Sequence, residues 1–247
     1  MILLYQKIKE ILNFCLSEEP SIKTESRGYT CQQLCTKVVY RIILELAQDS
    51  FTIIEKGNSV SSAALLRSLF EYFMELIFIS KSPENLLQRN LDAQKEQQKL
   101  LRAMGNSKDP ILSNCKNDTR FEPRKKELEK SLCGHTQKRI WDLCNETGYL
   151  WMYDMVYRTL SQVAHPNIVN YNNRFFKNDT GVLMFEPDPK LDDEETTQRL
   201  VLLLEVLVNS TSCAHKLFPE SNIPLIESKL DKFTKEVMDI TNGNSNS

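Results

Sequence analysis

The chain has 247 residues, a formal net charge of −2, 41% hydrophobic residues, and only seven glycines and nine prolines. So few turn formers exclude a sandwich or barrel, which needs a turn every ~8–12 residues, and favour a mainly helical chain. The near-neutral charge gives no global attraction to nucleic acid or to an anionic membrane, so any nucleic-acid site has to be a local basic patch.

The opening "MILLYQKIKEILNFCL" reads as an amphipathic first helix and not as a signal peptide. No basic region precedes its apolar residues, and Lys7, Lys9 and Glu10 interrupt them. A polar loop (17–28) follows. Leu34, Val38, Ile42, Leu46 and Ile53 then recur at helical spacing, which predicts a helix over about 29–56 that ends at Gly57 and Asn58. Ser59, Ser61 and Ser62 are the expected caps of a third helix reaching about Ser80. Its run "LFEYFMELIFI" is too short to span a bilayer and carries two glutamates, so it reads as a buried helix. A fourth helix starts with Pro83 at its first position and ends near Gly105.

A surface loop is expected over 105–120, then two short helices, "RFEPRKKELEKSLCG" and "TQKRIWDLCNETG", each closed by glycine. "YLWMYDMVYRTLSQVAHP" reads as one helix stopped by Pro166. Two apolar stretches around "NDTG" predict a short β-hairpin near 173–186. A strongly apolar helix (192–217) and an amphipathic one (223–241) complete a single helical domain over 1–241, and 242–247 is a disordered tail. The expected fold class is therefore mainly α, a single helical bundle. The protein is expected to be soluble and cytoplasmic. Its seven cysteines, an odd number, read as reduced, buried thiols rather than a disulfide framework.

Two helices carry charges in unusual places. With 100° per residue, Asp154, Arg158, Ser161 and His165 fall on one narrow polar stripe, with Tyr157 beside it and Met155, Val156, Leu160 and Val163 on the opposite side. The third helix is apolar almost all round, yet Arg67, Glu71 and Glu75 line one strip of it. Buried charges have to be paired, so that strip either ties helices together or faces a polar cleft. Each feature has a plainer reading: a solvated face for the stripe, a helix-terminal cation for His165, a structural salt bridge for Arg67 and Glu71. Cys31 and Cys35, "CGH" (133–135) and "CAH" (213–215) put zinc ligands close in sequence, but the pairs lie too far apart for a zinc knuckle, so no metal is assigned. The chain has no Gly-rich phosphate loop, and no cofactor is expected.

"RTLSQVAH" (158–165) is an arginine, six residues and a histidine. It resembles the Arg-x(4–6)-His motif of HEPN nucleases, members of the higher-eukaryote and prokaryote nucleotide-binding superfamily. "RSLFE" (67–71) followed by "YRTLSQVAHP" also resembles a bacterial helical family of unknown function related to that superfamily. The likeness covers about residues 30–215. Where HEPN nucleases usually place Asn, Asp or His after the arginine, this chain has Thr159.

The resemblance implies a HEPN-like fold and a metal-independent endoribonuclease acting in bacterial or phage conflict, for instance in a toxin–antitoxin pair. In that reading Arg158 and His165 are catalytic, and Asp154, Tyr157, Ser161, Arg67 and Glu71 support them. Arg120, Arg124, Lys125, Lys126 and Arg174 are the candidate RNA contacts. One Arg–His set per chain implies a homodimer with a composite site. The alternative is a non-catalytic helical module that binds a nucleotide or a regulatory protein partner.

Overall fold

A computed structural model describes residues 1–19, 28–106, 121–164, 175–177, 180–185, 190–219 and 221–243. It is mainly helical: α1 (Ile2–Glu18), α2 (Cys31–Glu55), α3 (Ser59–Lys81), α4 (Pro83–Asn106), α5 (Phe121–Ser131), α6 (Ile140–Thr147), α7 (Leu150–Met152), a π turn (Tyr153–Tyr157), α8 (Arg158–Ala164), α9 (Asp193–His215) and α10 (Ile223–Thr241). Two short strands, Phe175–Lys177 and Leu183–Phe185, pair antiparallel with Phe176 opposite Met184. Among the described residues no helix is long and apolar enough to cross a membrane.

Local chemistry sets the helix boundaries. Thr30 and Gln33 form a capping box at α2, in which Thr30 Oγ1 accepts from the Gln33 N–H and Gln33 Oε1 accepts from the Thr30 N–H. At α3 the expected serines are not the cap. Asn58 is, its Oδ1 taking the Ser61 N–H at 2.9 Å. The chain can reverse there because Gly57 adopts a φ of 72°, which costs a residue without Cβ nothing. Asp192 caps α9, whose first turn holds Asp193, Glu194 and Glu195, a charge pattern that suits the positive end of the helix dipole.

α3 is the centre of the molecule, packing against α2, α4, α6, α8 and α9. That explains its apolar circumference: Leu66, Leu69, Phe70, Phe73, Met74 and Leu76 are all fully buried. α9 crosses α2 and α3, and α1 and α10 pack on α9. The buried Arg199 of α9 donates to the Ser59 carbonyl and to Ser62 Oγ, which fixes α9 to the start of α3. Deeper in the core, the Tyr40 and Thr211 hydroxyls are hydrogen-bonded, and His215 stands edge-on to Tyr40. His215 Nδ1 meets Ser221 Oγ at 3.0 Å, while Nε2 is buried without a hydrogen-bond partner among the described residues.

Several expectations need correcting. The segment after Tyr149 is not one α-helix. Its middle is a π turn in which the Arg158 N–H donates to the Tyr153 carbonyl, five residues back. The cysteines are not uniformly buried either: Cys15 and Cys144 are, but Cys31 and Cys133 are exposed. The loop expected over 105–120 starts no earlier than 107, because α4 reaches Asn106; residues 107–120, Cys115 among them, and 244–247 of the tail expected over 242–247 lie outside the described residues.

Candidate functional site: the polar strip of α3

The two motif segments meet. Arg67 Nη2 donates to the Tyr157 hydroxyl at 3.0 Å, and that hydroxyl donates to Glu71 Oε1 at 2.8 Å. The Arg67 guanidinium also lies 3.3 Å from Glu71 Oε1 and 5.2 Å from the centre of the Tyr157 ring. Tyr157 is thus held by two hydrogen bonds and by the ring–cation contact, with Phe70 packed against it at 5.7 Å. Burial pushes the Tyr157 hydroxyl above its ordinary value, while the Arg67 hydrogen bond works the other way. The same bond raises Arg67.

Arg158 and Asp154 are absent from this unit. They pair with each other at 3.2 Å on the outside, with 62% and 52% of their side chains exposed. The Arg158 guanidinium rests 5.5 Å from the Tyr153 ring, which stacks on Tyr157. Ser161 is on neither side of this divide: its Oγ is buried with no hydrogen-bond partner among the described residues. The predicted stripe is therefore split. The physical reason is the π turn, whose wider ring changes the angular register and directs Tyr157 to α3. The predicted apolar side is broken as well, since Leu160 is buried but Met155 is 72% exposed.

His165 lies outside the described residues, as do Arg120 and Arg174. Arg124 and Lys126 are exposed on α5, which packs on α4. Arg124 is paired with Glu127 at 2.8 Å, and Lys125 is half-buried.

Sequence reasoning missed a second polar system one turn further along α3. Glu75 Oε2 accepts from Arg89 Nε at 2.7 Å. Arg89 Nη1 donates to Asp92 Oδ2 at 2.6 Å, and Asp92 Oδ1 meets His135 Nε2 at 2.7 Å. Asp92 also accepts from the Lys138 N–H and from Gln88 Nε2. Asp92 and His135 are almost enclosed, with 3% and 8% of their side chains exposed. Burial raises Glu75 above the ordinary carboxylate value, and Arg89 opposes that rise. The only advance sign was Glu75 standing on the same strip as Arg67 and Glu71.

Glu71 and Glu75 share the wall of a pocket of about 490 Å³, completed by Arg89 of α4 and by apolar residues of α2 and α6. This lies within the usual ~300–1,000 Å³ range of small-molecule pockets. Among the described residues no three of His, Cys, Asp and Glu come together as a metal-holding group. His135 and His215, the histidines of the two Cys–His pairs, face Asp92 and Ser221 instead.

No curated protein and no solved structure matches the chain. A family model described as "Family of unknown function (DUF5677)" matches residues 37–182, which takes in the whole α3 strip, the second polar system and the motif helix. The chain belongs to that family.

Proposed function

We propose that the chain is a HEPN-like protein that cleaves RNA without metal, with Arg158 and His165 doing the chemistry and the Arg67–Tyr157–Glu71 unit positioning their helix. The observation that carries this reading is the unit itself. Two segments ninety residues apart in sequence are joined by the Tyr157 hydroxyl, and Arg158 is the next residue along.

In this mechanism Arg158 leaves Asp154 and grips two non-bridging phosphate oxygens with its planar fork. His165 takes the proton from the ribose 2′-OH as that oxygen attacks phosphorus. The P–O5′ bond breaks, the proton passes to the leaving 5′ oxygen, and the products are a 2′,3′-cyclic phosphate and a 5′-OH. Arg158 balances the charge that builds on the pentacoordinate phosphate. Exposed Arg124 and Lys126 extend the contact along the backbone. A homodimer brings two Arg–His sets together, the paired strands belong to a hairpin, and the site of action is the cytoplasm of a bacterial or phage-infected cell.

The test is RNA cleavage by the purified chain in EDTA, with product ends identified, for wild type, Arg158→Ala and His165→Ala. Cleavage that yields cyclic phosphate ends and is lost in both folded variants is the expected result. Absence of cleavage by the wild type overturns it.

A second reading, a non-catalytic module for a small ligand or regulatory partner, has its own observation. Glu71, Glu75 and Arg89 line a pocket together with apolar residues, whereas Arg158 is spent on Asp154.

A further inference from the structure

Three features of the pocket between α2, α3, α4 and α6 point to a ligand. Each glutamate first commits only one oxygen. Glu71 Oε1 takes both Tyr157 and Arg67, and Glu75 Oε2 takes Arg89. Among the described residues Glu71 Oε2 and Glu75 Oε1 have no hydrogen-bond partner, and neither is an enclosed atom. Both glutamates line one pocket, each with one oxygen uncommitted. They stand four residues apart on α3, where neighbouring Cβ atoms are ~5–6 Å apart. That spacing is compatible with a single nitrogen bridging the two carboxylates through charge-assisted hydrogen bonds of ~2.7–2.9 Å.

The second feature is charge. Glu71, Glu75 and Asp92 carry three negative charges against the two on Arg67 and Arg89. The pocket wall itself holds two of those carboxylates, Glu71 and Glu75, against one guanidinium, Arg89, so a cation is the ligand that suits it. The third is the lining. Val39, Ile140 and Leu143, with the exposed ring of Tyr72, form the apolar part of the wall. They have no polar group to offer a ligand except the Tyr72 hydroxyl, so they suit a hydrocarbon body.

We propose that this pocket binds a small primary amine in its ammonium form, with the nitrogen bridging Glu71 and Glu75 and an apolar body lying on Val39, Ile140, Leu143 and Tyr72. An ammonium has the three N–H donors that such a bridge requires. The proposal does not rest on RNA cleavage: Glu71 is shared with the unit that positions the motif helix, but Glu75 and Arg89 belong to the pocket and not to that unit.

Isothermal titration calorimetry on the full chain tests it with three probes: 3-methylbutylamine, its neutral counterpart 3-methylbutanol, and leucine. The amine is expected to bind at least about tenfold more tightly than the alcohol, a ratio worth ~1.4 kcal/mol. Leucine distinguishes two sources of the same ammonium. Tighter binding than the amine assigns its carboxylate to Arg89 and makes the ligand an amino acid, and weaker binding makes it a plain amine. Glu75→Gln is expected to lower amine affinity about tenfold or more. Should that variant fail to fold, Glu71→Gln, at the more exposed carboxylate, carries the same expectation. Arg158→Ala is expected to bind the amine as wild type does. Equal affinity for amine and alcohol, no heat with the amine up to about 10 mM in the folded protein, or undiminished binding in the glutamine variants overturns the proposal. The RNA assay is read separately, so either hypothesis can fail alone.

Discussion

Successive turns of α3 support two polar systems that differ in almost everything but their ingredients. At Glu71 the partners are an arginine on the same helix and a tyrosine from the π turn, and 41% of the glutamate side chain is in contact with solvent. At Glu75 the partners come from α4 and the loop before α6, and the chain of contacts ends on an enclosed Asp92–His135 pair. The first can open to a ligand at little cost, because water replaces what it loses. The second is anchored at its inner end, because Asp92 and His135 have almost no water to fall back on. Carboxylates four residues apart on one helix thus divide the work, one placed for exchange and the other for rigidity, and the pocket between them has one movable and one fixed wall.

The strongest way to break this comparison is to remove Asp92. Asp92→Ala leaves Arg89 and His135 facing each other without their shared carboxylate. It is expected to cost ~3–5 kcal/mol in urea denaturation, as for a broken buried ion pair. A loss no greater than that of Arg158→Ala would mean the inner system is no more structural than the outer one.

Acid provides the next test, through a histidine that lacks what His135 has. His215 faces a hydroxyl and a ring rather than a carboxylate, and burial lowers its pKa below the ordinary 6.5. The unfolded chain takes up a proton at this residue near pH 6.5, while the folded chain resists until lower pH. The stability that depends on neutral His215 is therefore complete above about pH 6.5 and falls as the pH drops from there towards the folded value. His215→Phe is expected to flatten that part of the stability–pH profile. An unchanged slope would show that the imidazole finds a way to be protonated in place.

Tyr157→Phe keeps the ring against Phe70 and removes only the hydroxyl bridge. A cost of ~1 kcal/mol is expected, near that of one hydrogen bond to charged partners in a partly wet setting, with any RNA cleavage reduced while the fold is retained. Smallest of all is Arg158→Ala, whose exposed pair with Asp154 is worth at most ~0.5–1 kcal/mol, so its melting curve should almost overlay that of the wild type.

What could be read from the sequence follows from the range of the interactions. The Arg67–Glu71 pair was legible because both residues stand on one helix at the spacing that brings side chains together, and the apolar surroundings marked that helix as central. Meeting Tyr157 was half legible: it was placed beside the polar stripe, but the stripe was drawn with a uniform turn. The π turn leaves no mark on the hydrophobic pattern strong enough to detect. Asp92 was illegible for another reason. It sits in "LDAQKEQQK", which reads as a solvated face, and its partner His135 is 43 residues away in a connecting loop. A buried pair assembled from two unremarkable stretches has no local signature.

The π turn has a further consequence for how relatives should be lined up. A turn closed five residues back holds one residue more than an α-helix needs, and one residue corresponds to about 100° of rotation. Tyr149, before the turn, reaches Phe73 and Tyr157, its last residue, reaches Phe70, so both address α3, but in different phase. A homologue without the extra residue would show the same faces displaced by one position on one side only. The correct alignment there contains a single-residue gap inside a helix, a place where gaps are ordinarily penalised most heavily.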